Sequence, residues 1–265
     1  MTSDIYEAKI HELAARHPLL DINIIGNSRM GKPIYALTLG HGQASVLFNA
    51  AHHANEWITA LILTKFAEDC AKHNASWYEH VTLHMVPMVN PDGVDIAISG
   101  KTHWKANAIG VDLNSNYPAG WEQAKAHKYS RGYTAPNPRD YVGSHPLSEP
   151  ESMAMAAFTK FVDPALTISL HTQGEEIYWL YQDYAPLGAT ELAICISQAS
   201  GYKLEEVPDE SSHAGYRDWF IQEFNRPGFT VECGLGVSPL PLSDFDDIYA
   251  RVYPLLVEAV LFPIK

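Results

Sequence analysis

The sequence predicts an α/β protein in which a mixed, twisted β-sheet lies between layers of helices. Strand-like and helix-like patterns alternate along the 265 residues, which is typical of helices packed on both faces of a sheet. The composition, 46% hydrophobic and 18% charged, is sufficient for one substantial core. No internal repeat or low-complexity segment interrupts the alternation. We therefore expect a single domain over residues 1–265.

The individual elements follow from hydrophobic periodicity and from end signals. Residues 1–16 have the pattern of an amphipathic helix, with Ile5, Ile10 and Leu13 on one side. The sequence Glu-Pro-Glu at 149–151 suits a helix start, because proline has a fixed φ and carboxylates favour the positive end of the helix dipole. The predicted strands are Leu20–Ile25, Pro33–Leu39, Ala44–Phe48, Val81–Val86 and Leu166–Leu170, and the other predicted helices are Trp57–His73, Pro150–Phe161, Thr190–Ser200 and Asp247–Phe262.

One long stretch does not fit the alternation. Residues 116–148 are rich in proline, glycine, tyrosine and charge, and they show no clear period. The stretch is either a long surface excursion or part of the wall of a cleft.

A histidine and a glutamate stand three positions apart just after the third predicted strand. His53 and Glu56 can offer two ligands to one ion from a single turn. Zinc binds imidazole nitrogen and carboxylate oxygen, and catalytic zinc sites use three protein ligands and leave the remaining position to water. A His-x-x-Glu pair also occurs by chance, so its meaning depends on a third ligand.

Two further residues stand at the ends of strand-like runs. His171 follows the apolar run 166–170 directly and is the best candidate for the third ligand. Glu232 ends the run 227–232 and is placed to act as the base that takes a proton from water and passes it to a leaving nitrogen. Together with His53 and Glu56, these residues predict a hydrolase with one Zn²⁺ per chain.

The segments that contain these residues resemble zinc metallocarboxypeptidases of the carboxypeptidase A superfamily, over essentially the whole chain. The resemblance implies that His53, Glu56 and His171 bind zinc and that Glu232 is the general base and acid. It also implies that Asp112 orients the first histidine, although Asp112 alone would read as an ordinary turn residue. The matching segments are residues 53–59, 89–93, 110–114, 170–173, 218–219 and 229–232.

Three departures from the family pattern concern substrate contacts. The family usually has Asn-Arg where this chain has Asn114-Ser115, and serine cannot form the bidentate ion pair with a terminal carboxylate. Lys105 replaces the arginine that polarises the substrate carbonyl, and a lysine can still stabilise an oxyanion as a point charge. Glu210 falls at the position of the family tyrosine, and we take Tyr216 as a candidate substitute.

A second group of residues points to an anionic substrate. The resemblance implies that the position just before Asp218, here Arg217, sets the floor of the leaving-side pocket. A buried arginine there would favour a carboxylate, whereas a solvated arginine would have no such role. Arg139 is a further candidate for a substrate carboxylate. Several segments are similar to the γ-D-glutamyl-L-diamino acid endopeptidases, which implies cleavage between γ-D-glutamate and meso-diaminopimelate or lysine. These segments are residues 104–107, 117–121, 138–141, 171–174, 177–179, 214–221 and 239–242.

Three functions are compatible with these residues. The first is a γ-D-glutamyl-diamino acid endopeptidase that acts on peptidoglycan stem peptides. The second is a broader metallocarboxypeptidase, or a related zinc amide hydrolase or deacylase, with Arg139 or Arg217 as the carboxylate ligand. The third is a metal-free protein that only binds peptidoglycan fragments, which retention of all three ligands and Glu232 disfavours.

Composition restricts the partners and the compartment. A formal net charge of −13 opposes nucleic-acid binding. Three cysteines form no disulfide framework, which favours a reducing compartment. Neither a signal peptide nor a run of about 18 apolar residues is found. We expect a cytoplasmic protein with a peptide substrate and no membrane partner, without a pro-segment or a cell-wall-binding module; the sequence leaves the oligomeric state open.

Overall fold

The computed structural model describes residues 1–73, 76–208 and 212–264, and it confirms the predicted fold class. A mixed sheet of eight strands lies between helices. The bounds predicted for the elements differ from those observed by at most two residues at either end. The strands are β1 (Asp21–Asn27), β2 (Pro33–Leu39), β3 (Ala44–Ala50), β4 (Val81–Val86), β5 (Leu166–His171), β6 (Glu176–Tyr178), β7 (Lys203–Glu205) and β8 (Gly228–Glu232). The α-helices are α1 (Ser3–Arg16), α2 (Ile58–His73), α3 (Pro91–Ile98), α4 (Trp121–Ser130), α5 (Pro150–Val162), α6 (Ala189–Ser200), α7 (Tyr216–Phe224) and α8 (Phe245–Leu261).

The strand order brings four carboxyl ends together. Along the sheet the order is β1-β2-β4-β3-β5-β8-β6-β7, with β4, β3, β5 and β8 parallel to one another. The outer pairs β1–β2, β2–β4 and β6–β8 are antiparallel. In the centre Ala50 lies opposite Leu170 and His171 lies opposite Glu232. Residues that follow β3, β5 and β8 therefore meet at one edge of the sheet.

Alternate residues of each central strand pack against different helix layers, as the pleat requires. Val46 and Phe48 of β3 join the larger core with residues of α1, α2, α6 and α8, whereas Leu47 joins the smaller core with α5 and α7. In β5, Ile168 faces the larger core, and the buried Ser169 lies in the alternate set of positions.

The first helix corrects one sequence expectation. Ile5 is 59% exposed, and Tyr6 takes the buried position beside Ile10 and Leu13. A helix turns 100° per residue, so residues 6, 10 and 13 share a face, whereas residue 5 is rotated away from it. The sequence analysis therefore placed Ile10 and Leu13 correctly on the buried face, but it chose Ile5 where Tyr6 is the buried residue.

Two further expectations concern covalent and membrane features. Cys70, Cys195 and Cys233 are all free thiols. In the ranges that the structure describes, the helices are too short or too polar to span a lipid bilayer.

Candidate active site

Three potential metal ligands converge at the carboxyl edge of the sheet. His53 and Glu56 lie in the turn after β3, and His171 is the last residue of β5. The Nδ1 atom of His171 lies 2.9 Å from one Glu56 carboxylate oxygen, and the Nδ1 atom of His53 lies 2.9 Å from the other. The two Nδ1 atoms are 3.1 Å apart. Within the described ranges this is the one group of acidic, histidine or cysteine side chains with ligand atoms close enough to share an ion.

A carboxylate fixes the first histidine from behind. Asp112 Oδ1 lies 3.2 Å from Nε2 of His53, so Nδ1 is directed toward Glu56. The charges of His53 and Lys105 hold the pKa of the Asp112 carboxyl well below its usual range, although burial opposes this shift. Asp112 is therefore an anion that selects the ring orientation and tautomer required of a metal ligand.

Glu232 stands beside the ligand set on the neighbouring strand. It pairs in register with His171 and lines the same cleft as Glu56. Burial, followed by the negative charge of Glu56, raises the pKa of the Glu232 carboxyl above its usual range, whereas Lys105 and His53 oppose the shift. A carboxyl group that retains a proton more readily than an ordinary glutamate is suited to general acid and base chemistry.

Lys105 brings a cation to the ligand set. Its Nζ lies 3.4 Å from Glu56 Oε1, and its side chain is 22% exposed. The carboxylates of Glu56, Asp112 and Glu232 raise the Lys105 pKa despite its burial, so the ammonium stays charged. Its backbone is joined to the ligand turn, because the Ala54 N–H donates to the Lys105 carbonyl at 2.9 Å.

The side chains present fit a zinc ion. Two unprotonated ring nitrogens facing each other at 3.1 Å repel unless a proton or a metal cation lies between them. Burial lowers the pKa of His171, which favours the neutral imidazole that binds metals. Burial lowers the pKa of His53, but the negative charges of Glu56 and Asp112, with the hydrogen bond to Asp112, together outweigh it and raise this pKa to about 9, so the site favours a positive charge at His53. Two imidazoles and one carboxylate are a catalytic zinc set.

The cleft in front of these residues contains most of the predicted substrate contacts. Asn114 and Ser115 lie on its wall. The side-chain oxygen of Asn114 already accepts a hydrogen bond from the Tyr216 N–H at 3.0 Å, so a substrate contact would use its amide nitrogen. The residues lining the cleft are His53, Glu56, Lys105, Asp112, Asn114, Ser115, Lys128, Arg139, Asp140, Thr172, Tyr178, Val207, Pro208, His213, Gly215, Arg217, Asp218, Thr230 and Glu232.

Arg217 is buried in the cleft wall. Only 4% of it is exposed, and its guanidinium donates through Nε and a terminal nitrogen to one oxygen of Asp218. A guanidinium has five N–H groups, so the two bonds to Asp218 do not use all of them.

Tyr216 does not lie where the sequence analysis placed it. Its side chain is fully buried, and its hydroxyl is 2.8 Å from Thr159 Oγ1 in the smaller core. We therefore assign it a packing role instead of a substrate contact. Tyr178 is the tyrosine that lines the cleft, and its hydroxyl donates to Glu176 at 2.7 Å. Glu210, at the position of the family tyrosine, lies outside the described residues.

The irregular stretch 116–148 contributes to the cleft wall. It contains α4 and brings Lys128, Arg139 and Asp140 to the cleft. Arg139 is 53% exposed, and its Nε donates to Asp140 at 2.9 Å. Sequence reasoning had not singled out Lys128 or Asp140, although Asp140 lies in a segment similar to the γ-D-glutamyl endopeptidases.

The fold and the ligand set define a zinc metallopeptidase, and comparison with known proteins gives the same class. The zinc carboxypeptidase family model matches residues 6–214, and the chain belongs to this family. The predicted family and the prediction of an enzyme are thereby confirmed.

Two curated relatives are similar to this chain over most of its length. The γ-D-glutamyl-L-diamino acid endopeptidase 1 of Lysinibacillus sphaericus is 40% identical over 271 aligned residues, which cover 91% of this chain and 67% of that protein. An uncharacterized protein of Bacillus subtilis is 37% identical, covering 97% of this chain and 76% of its own length.

Solved structures support the fold. The structure of bovine thrombin-activatable fibrinolysis inhibitor in complex with tick carboxypeptidase inhibitor matches with a TM-score of 0.84, covering all of this chain and 97% of the other. The two sequences are only 19% identical, so this likeness concerns the fold alone.

Proposed function

We propose that this protein is a zinc-dependent peptidase that hydrolyses the bond between γ-D-glutamate and a diamino acid, diaminopimelate or lysine, in peptidoglycan stem peptides. The observation that carries the proposal is the cleft itself, where the buried Arg217 lines the same space as His53 and Glu56 of the ligand set. Ser115 stands where the family usually has a carboxylate-binding arginine. The similarity to an endopeptidase with this named specificity supports the same bond.

Each group of residues has a separate role in the proposed reaction. His53, Glu56 and His171 hold one zinc ion, which supplies Lewis acidity toward water and the substrate carbonyl. Glu232 accepts the proton of the attacking water and returns it to the leaving nitrogen. The Lys105 ammonium stabilises the negative charge that develops on the carbonyl oxygen.

The substrate contacts follow from the charges in the cleft. Diaminopimelate carries a second carboxylate at its far end, which the free N–H groups of Arg217 can bind as a charge-assisted pair. The α-carboxylate of a γ-linked glutamate is a ligand for the more exposed Arg139. Asn114 donates an amide hydrogen bond, and Ser115 leaves space where an arginine would demand a free terminal carboxylate.

A broader carboxypeptidase or a zinc deacylase is the second candidate. The observation in its favour is that Lys128 and Arg139 also line the cleft and can bind a terminal carboxylate in place of the missing arginine. This reading requires no diamino acid in the substrate.

Product analysis separates the two candidates. Zinc-loaded protein is incubated with L-Ala-γ-D-Glu-meso-diaminopimelate, with an ordinary peptide as the free acid, and with the same peptide blocked at its C-terminus. Mass spectrometry identifies the products, and we expect release of diaminopimelate and L-Ala-D-Glu, at a rate that Glu232→Gln lowers by roughly 10²–10⁴-fold. Cleavage of the ordinary free acid alone would replace the proposal with a general carboxypeptidase.

A further inference from the structure

A four-residue segment, 138–141, connects Lys105 with Asp112, the carboxylate that orients His53. The Pro138 carbonyl accepts hydrogen bonds from the backbone N–H groups of Lys105, at 2.8 Å, and of Ala106, at 3.0 Å. Three residues later the Tyr141 carbonyl accepts from the Asp112 N–H at 2.8 Å. The position of this segment therefore determines where the backbones of Lys105 and Asp112 lie, and with them the ammonium group and the carboxylate behind His53.

Asp140, between these two carbonyl groups, has an unfavourable backbone conformation. Its φ is +67°, in the left-handed region that residues other than glycine seldom adopt and hold only when their surroundings enforce it. Its N–H donates to Asp112 Oδ2 at 3.4 Å. A different backbone conformation at residue 140 would redirect this N–H and both neighbouring carbonyl groups.

Two cations hold the Asp140 carboxylate in place. Lys128, from the last turn of α4, donates to Oδ1, and Arg139 donates to Oδ2 at 2.9 Å. The Lys128 and Asp140 side chains are only 10% and 16% exposed, whereas Arg139 is 53% exposed. A well-shielded pair is less screened by solvent than a surface pair, so Lys128 is the stronger anchor of the two.

We propose that the Lys128–Asp140 ion pair is a positioning device that holds residues 138–141 against Asp112 and Lys105, and thereby orients His53 and the oxyanion-stabilising cation. Neither side chain needs to touch the substrate to act in this way. The inference rests on the proposed function for the reaction concerned, but the effect on His53 does not require any particular substrate.

The test separates positioning from substrate binding and from stability. Lys128→Met and Asp140→Asn each remove one charge of the pair, and Lys128→Arg retains it. Glu223→Gln is the matched control, because Glu223 forms an exposed pair with Lys160 at 2.7 Å. Zinc affinity is measured without substrate, by competition with a chromogenic chelator, and kcat and KM are measured separately on the γ-D-glutamyl tripeptide.

We expect Lys128→Met and Asp140→Asn each to weaken zinc binding by roughly 10-fold, the lower limit for loss of a direct partner of a ligand, because the pair acts on His53 through Asp112. Both variants should also lower kcat with little change in KM. Glu223→Gln should resemble the wild type, and Lys128→Arg, which keeps the positive charge, should lose less zinc affinity and less kcat than Lys128→Met. Unchanged zinc affinity and kcat in folded Asp140→Asn would overturn the proposal, and so would a raised KM at constant kcat, which would indicate direct substrate binding.

Failure of both variants to fold, while Glu223→Gln folds, would also overturn it, because the pair would then maintain global stability and not site geometry. The proposed function fails independently if wild-type protein does not cleave the tripeptide, since the zinc measurement still decides the role of the pair.

Discussion

The two ends of the cleft are built by different means. At the catalytic end, His53, Glu56, His171 and Glu232 stand at or just after the ends of β3, β5 and β8, so the register of the sheet brings them together. At the end where we propose substrate recognition, called the recognition end below, Arg217 and Arg139 lie outside the sheet, and each is held by an adjacent aspartate. Chemistry thus depends on backbone architecture, whereas recognition depends on single side-chain pairs. Substitutions at the two ends should therefore differ in size and in kinetic signature.

Loss of the metal should have the largest effect at the catalytic end. His171→Ala removes one of three ligands, so we expect it to lose zinc and nearly all activity, as should wild-type protein treated with a chelator. Metal content is measured by atomic spectroscopy, and activity is measured before and after zinc is restored. His103→Ala, at an exposed histidine, serves as the control. If His171→Ala retained stoichiometric zinc, the ligand assignment would be wrong.

Replacing Glu232 should separate catalysis from metal binding. Glu232→Gln keeps the size of the side chain but cannot accept a proton, so kcat should fall by roughly 10²–10⁴-fold, the range typical of lost general acid–base catalysis. Zinc content should be unchanged, because the residue is not one of the three ligands. The measurement is steady-state kinetics combined with metal analysis. Turnover close to that of the wild type would remove Glu232 from this role.

At the recognition end the effect should depend on the substrate. Arg217→Gln removes the cation, so kcat/KM should fall by roughly 10-fold or more for diaminopimelate peptides, since a hydrogen bond to a charged group contributes about 1.5–3 kcal/mol. Lysine-containing peptides, which lack the second carboxylate, should be affected far less. Arg226→Gln changes an arginine outside the cleft and is the matched control. Equal losses on both substrates would count against the assignment.

The smallest effect should come from Tyr216, which belongs to neither end. Tyr216→Phe deletes the buried contact with Thr159 and should lower the free energy of unfolding by about 1 kcal/mol. Because the ring remains in the core, kcat and KM should not change. Denaturant unfolding and kinetics on the tripeptide test this pair of expectations. A raised KM would restore Tyr216 as a substrate contact.

The same contrast explains what the sequence could and could not predict. His171 and Glu232 were predictable because each ends a strand, and parallel strands place their carboxyl ends at one edge of the sheet. The burial of Tyr216 was not predictable, because a position next to Arg217 on α7 does not reveal which side of the helix faces the cleft. The prediction that Ile5 lies on the buried face of α1 was wrong for a similar reason, since Tyr6 occupies that face.

The wall of the cleft was the least predictable region. Residues 116–148 lack a hydrophobic period, and their structure depends on long-range pairs such as that between Lys128 and Asp140. Such pairs join residues whose separation in sequence follows no helical or strand period. The burial of Arg217 and of its partner Asp218 likewise depends on how α7 packs in the folded chain, which the local sequence does not reveal.

The pairing of β5 with β8 has a consequence for how refolding of the protein can be monitored. His171 and Glu232 lie opposite each other, and a shift of this pairing by one residue would turn the side chains of the displaced strand to the other face of the sheet. Glu232 and His171 would then no longer lie side by side at the ligand set. Recovery of turnover after denaturation therefore reports the correct alignment of the central strands, which secondary-structure content alone would not reveal.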